Sequence, residues 1–254
     1  MAQPAKLADR FPADSRKQQI VETVLELVAT RGTEAVSAQL VADAIGVTQP
    51  AIFRHFPTKE AMWLAVMDWL EHRLVAIYSA AGDNGEADLV VLSCVFLEHV
   101  KLIERYPALA KLVFSDHLRL QYPSLQARFG KIHKAYAARL AAAINRAKSD
   151  GAVGDAVAAK DAATMFLSLI QGLGFQFVIA RLPMQFPIEA ERVLALYLQA
   201  ITSSANAGER ALGIIEAAKQ WRKKKERHSP MTARGRAGID CGRSIPGGTV
   251  RRRA

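Results

Sequence analysis

Apolar residues recur at helical spacing along nearly the whole chain, and no segment shows the period-two alternation of a half-buried strand. Ile20, Val24, Leu27 and Val28 form one stripe on a helix from about Ser15 to Thr30, which Gly32 stops. Ser37 is placed to cap a short second helix bearing Leu40, Val41 and Ala44, and Gly46 breaks it. Thr48 is placed to cap a third, where Pro50 is tolerated because first-turn N–H groups have no intrahelical partner. Pro57 ends that helix. Thr58 opens a fourth, reaching about Tyr78, with Glu60 near its positive end. After the break at Gly82-Asp83-Asn84-Gly85, helices are expected near 86–105, 107–118, 123–149, 158–182 and 188–204. An amphipathic stretch from Glu209 to Trp221 runs into Arg222-Lys-Lys-Lys-Glu-Arg227, and past His228 the periodicity disappears. The fold class is all-α, and residues 229–254 read as a disordered basic tail.

Half of the 254 residues are hydrophobic and only 7% are aromatic, which suits helices around a sizeable core better than a β-sandwich. The net charge of +10 is unevenly placed: residues 1–204 carry 21 basic and 20 acidic side chains, residues 205–254 carry 13 and 4. The charge therefore belongs to the tail, either as sequence-independent affinity for DNA or as a solvated extension. Cys94 and Cys241 make no disulfide framework or thiol metal cluster, and no secretory signal is present. The longest apolar run, Thr164 to Leu182, is broken by Ser168, Gln171, Gln176 and Arg181, so it reads as a helix buried on all sides in a cytoplasmic protein rather than a membrane span.

Ser37 to Phe56 is the informative region. Two short capped helices joined by Ile45-Gly46-Val47 match the geometry of a DNA-binding helix-turn-helix. Leu40, Ile45, Val47 and Ile52 are expected in its small core, leaving Gln49, Pro50, Ala51, Phe53 and Arg54 on or near the outer face of the second helix. Together with Ile20 to Gly32, the run Leu40-Val-Ala-Asp-Ala-Ile-Gly-Val-Thr-Gln-Pro-Ala-Ile-Phe-Arg-His-Phe-Pro-Thr-Lys-Glu60 resembles the N-terminal domain of TetR-family transcriptional regulators. The resemblance covers about the first quarter of the chain. It implies base-edge contacts by Gln49, Pro50 and Ala51, a backbone or thymine-methyl contact by Phe53 in place of the usual Tyr, and phosphate contacts by His55 and Lys59. Ser37, Thr48 and Arg54 complete the candidate set for double-stranded DNA. Phe53 as a packing residue and His55 as a helix-end cation stay open as alternatives. Thr33 stands where the family commonly has an aromatic.

The implied organisation is an N-terminal arm (1–13), a DNA-binding domain (14–74, motif 37–56), a helical effector and dimerisation domain (75–206), a basic amphipathic helix (207–228) and the tail (229–254). The resemblance implies that the helices near 158–182 and 188–204 form a four-helix bundle with a second copy. Ser168, Gly172 and Gly174, with Val193, Leu194, Leu196, Tyr197 and Ile201, agree with that, although burial within one subunit is the alternative. Such a homodimer sets two reading helices one DNA turn apart and calls for a palindromic operator. The resemblance also implies a repressor with a small-molecule effector; candidate lining residues are Phe96, His99, Phe114, His117, Phe129, His133, Tyr136 and Met165, whose apolar bias points to an apolar or amphipathic ligand. No catalytic motif, cofactor signature or metal-ligand spacing appears, so an enzyme is not expected. Two other readings remain: a non-specific nucleoid protein binding through its tail, and a small-molecule-binding helical protein.

Overall fold

A computed structural model describes residues 13–82, 87–182, 184–202 and 207–228. The expected N-terminal arm, apart from Ala13, and the whole basic tail lie outside the described residues. The described chain folds as eleven α-helices: α1 (Ala13–Arg31), α2 (Ala38–Ile45), α3 (Gln49–His55), α4 (Lys59–Gly82), α5 (Asp88–Arg105), α6 (Ala108–Val113), α7 (Asp116–Gln121), α8 (Pro123–Ser149), α9 (Ala159–Gly174), α10 (Phe186–Ile201) and α11 (Ala207–His228). A single π-turn, Phe175–Ile179, extends α9.

The first three helices close around Ile20, Val24, Val28, Val36, Val41 and Ile52, all essentially inaccessible to solvent. Four expected core positions, Leu27, Leu40, Ile45 and Val47, are only half-buried, and Val21, Leu25 and Val41 take inward places. One residue along a helix is a rotation of about 100°, so the capping geometry of so short a helix decides which of two adjacent apolar side chains turns inward. Gly32 and Gly46 terminate α1 and α2 at φ +83° and +70°, a backbone region that carries a penalty for any residue with a Cβ.

α4 runs unbroken through residues 74 and 75, the expected boundary between the N-terminal domain and the body, as the expected helix to about Tyr78 also does. The single helix expected over 107–118 is two, because Ser115 accepts the Leu118 N–H and starts α7 afresh. α5 threads the centre of the body with both faces buried. Around it lie α4, α8, α9, α10 and α11. Phe96, Phe166 and Tyr197 stack edge to face across α5, α9 and α10, and the Tyr197 hydroxyl donates to the Ala162 carbonyl at 3.1 Å.

Ala159–Ile179 is long and apolar enough to cross a bilayer by length and composition alone. It is not buried on all sides, as the sequence suggested: α9 lies at the edge of the body and turns Met165, Ser168, Phe175 and Ile179 outward. The small residue Gly174 faces inward, where an added Cβ would sit 3.3 Å from Ile103, so it serves α5 and not an approaching partner helix.

Candidate DNA interface and ligand cavity

The turn between α2 and α3 is fixed by local chemistry. The Leu40 N–H donates to Ser37 Oγ at 3.1 Å, and the Gly46 and Val47 N–H groups return to the Asp43 and Ala42 carbonyls. Thr48 occupies the N-cap position of α3 but makes no side-chain cap bond, contrary to its expected capping role; its side chain stands exposed instead. Pro50, Phe53 and Arg54 project together from the outer face, Gln49 and Ala51 are half exposed beside them, and Ile52 and Phe56 anchor the helix from behind. Phe53 is 40% exposed, so it is presented to the outside rather than packed. His55, in the last turn, and Lys59, at the start of α4, are half exposed at the end of the same surface. Thr58 Oγ1 accepts the Ala61 N–H at 3.0 Å and so fixes the start of α4.

Several polar contacts tie this domain to the body. Lys111 reaches the Ala29 carbonyl at the end of α1, and Thr33 meets Ser115 at 3.1 Å. Ser124 bonds Glu60. Arg128 on α8 bridges Asp68 and Glu71 on α4 at 2.8 and 2.5 Å, and the guanidinium holds the Glu71 carboxyl below its ordinary pKa. α8 therefore grips α4 along its first half, at Glu60, Asp68 and Glu71.

A cavity of about 70 Å³ lies between α4, α5, α6, α8 and α9. His99, Phe114, Phe129, His133 and Tyr136 line it, with Leu70 and Leu74 from α4 and Gln171 and Gly174 from α9. Three sequence candidates lie elsewhere. Phe96 is one turn from His99 but points into the aromatic cluster of the core, His117 is exposed on α7, and Met165 is on the outer face of α9. Leu70, Leu74, Ile103, Ile132 and Gln171 were not singled out. Gln171 and Gln176 are the two amides in the apolar run from Thr164 to Leu182, and nothing in the sequence tells which of them faces the cavity.

The cavity is apolar except at one end. His99 Nδ1 and the Tyr136 hydroxyl are buried with no hydrogen-bond partner among the described residues, and their rings meet edge to face at 5.7 Å. Burial pushes the His99 pKa down to about 4 and that of Tyr136 up, so both are neutral at pH 7. Among the described residues no Lys or Arg lines the cavity. It is thus suited to an uncharged guest with one hydrogen-bonding group.

Residues 20–66 match the family model described as bacterial regulatory proteins, tetR family. A nucleoid occlusion factor SlmA from Shewanella woodyi is 28% identical over 123 residues, a match that spans 48% of this chain and 61% of the relative. Among solved structures, NalD, the secondary repressor of the MexAB-OprM multidrug efflux pump in Pseudomonas aeruginosa, superposes with a TM-score of 0.60 at 20% identity, over 75% of this chain and 99% of NalD. A complex of SmeT with triclosan gives 0.63 at 15% identity, over 75% and 93%. At such identities these two show a common fold. The helix-turn-helix domain over residues 20–66 is thus of the tetR family, on a chain that shares the all-helical fold of these two structures.

Proposed function

We propose that the chain is a ligand-responsive repressor that binds a palindromic operator as a homodimer. The observation that carries this reading is the outer face of α3, where Pro50, Phe53 and Arg54 stand together with Thr48 and Gln49 at the helix start. Gln49, Pro50, Ala51 and Phe53 read base edges and methyl groups, while Ser37, Thr48, Arg54, His55 and Lys59 hold phosphates. The dimer forms through the unpartnered faces of α9 and α10, on which Met165, Phe175, Ile179, Ile188 and Leu196 are exposed and Ser168 and Gly172 allow close approach. Burying that face in a second copy removes an apolar surface that a monomer would leave in water.

The effector is a mainly apolar, uncharged molecule that satisfies His99 and Tyr136. Small-molecule sites usually span ~300–1,000 Å³. The present cavity is narrower, so a guest must enlarge it, and Leu70 and Leu74 in its wall pass the displacement along α4 to α1–α3. DNA-competent and DNA-incompetent spacings of the two domains are then the two states that the ligand rebalances. The protein acts in the cytoplasm, at the chromosome, and is not an enzyme.

Fluorescence anisotropy with the DNA upstream of its own gene tests the residue roles. Gln49→Ala should lower discrimination against random DNA by about tenfold with non-specific binding retained. Lys59→Ala should weaken both and reduce the salt slope by about 1. An unchanged slope in Lys59→Ala would remove its phosphate role. A chromosome-wide DNA-binding role is the second reading, favoured by the name of the Shewanella relative. In that case deleting residues 229–254 abolishes binding, whereas a specific regulator keeps its operator preference.

A further inference from the structure

A second and larger cleft, about 470 Å³, opens between α4, α5 and α11. It lies outside the central cavity, and α4 separates the two: Leu70 and Leu74 face one, Arg73 and Ile77 the other. Three cations rest on aromatic rings around it: Arg73 over Trp69 at 5.0 Å, Arg105 over Tyr106 at 5.5 Å and Lys225 over Trp221 at 5.4 Å. Among the described residues none of these three meets a carboxylate. Glu98, the one acidic side chain among the described residues of the wall, is engaged by Arg222 at 2.9 Å. The Trp221 indole N–H is buried with no acceptor among the described residues.

An apolar aromatic floor and a basic rim form a receptor for a molecule with a negative head and an apolar body. We propose that this cleft is a second ligand site, for an amphipathic anion whose carboxylate, sulfonate or phosphate meets Arg105 and Lys225 while its body lies against Tyr106 and Trp221. The convex backbone of duplex DNA would touch only the rim and leave the aromatic floor unused. Because α4 is shared, an anion here and an uncharged guest in the central cavity press on opposite sides of the helix that leads to the DNA-binding domain.

The test needs no DNA, so it succeeds or fails independently of the repressor reading. Full-length protein is titrated with anilinonaphthalene sulfonate and separately with its uncharged analogue, N-phenylnaphthylamine. Arg105→Gln with Lys225→Gln should weaken the sulfonate about tenfold and leave the uncharged analogue within about twofold. Arg73→Gln should weaken the sulfonate in the same direction with an unchanged thermal midpoint, which separates loss of contact from loss of fold. Sulfonate affinity indifferent to these substitutions, or equal loss for both probes, would overturn the proposal. So would displacement of the sulfonate by a ~20-base-pair duplex but not by laurate, since that would make the cleft a nucleic-acid surface.

Discussion

His99 is a full imidazole held in the centre of the body with its Nδ1 unpartnered among the described residues, and burial lowers its pKa to about 4 from an ordinary 6.5. The unfolded chain binds a proton at His99 below pH 6.5 and the folded chain does not until about pH 4. Stability is therefore complete above 6.5, falls as pH drops between those values and levels off below them, a loss of about 3 kcal/mol from this one group. Denaturant unfolding of His99→Leu should lack that part of the pH dependence. The sequence offered His99 as a lining candidate alongside Phe96, three residues away, and only tertiary packing separates them. α5 is covered on every side from Leu89 to Leu97, so apolar periodicity cannot say whether a given position meets the cavity or the aromatic cluster with Phe166. The recognition helix is easier to read. Its short α3 has one covered side, marked by Ile52, and the remaining positions must face outward.

At the scale of elements, the angle between α2 and α3 depends on Gly46 at φ +70°. Gly46→Ala should cost about 1 kcal/mol in thermal or denaturant unfolding through strain alone, because nothing lies within 4 Å of the added Cβ. DNA affinity should fall with it, since the recognition helix is set by that turn. The grip of α8 on α4 through Arg128 is partly exposed, so Arg128→Ala should cost only about 1 kcal/mol of stability. Punctuation made most of these helices legible: Gly32, Gly46, Pro57, Pro123 and Gly151 stand at element ends. The division between α6 and α7 was missed although Ser115-Asp116 is a cap signal, because the apolar pattern continues across it. The position of α11 was not legible, since its place against α5 and α10 comes from long-range packing, including Lys219 to Glu191 at 2.7 Å and Arg222 to Glu98. The cleft beside α4 was hidden for the same reason.

At the scale of the whole molecule, the functional unit proposed above is a pair of chains. Leu196 is 64% exposed on α10, and Leu196→Arg should place a charge in the dimer face and shift the mass measured by light scattering toward the monomer. Operator binding should fall with it, because a single reading helix grips only half a site. The most direct trial of the central claim is selection of bound sequences from random duplex DNA by the purified full-length protein. The account predicts an inverted repeat with half-sites one helical turn apart, retained after deletion of 229–254 and degraded at specific positions by Gln49→Ala. Recovery of no preferred sequence, or of one unaffected by Gln49→Ala, would contradict it.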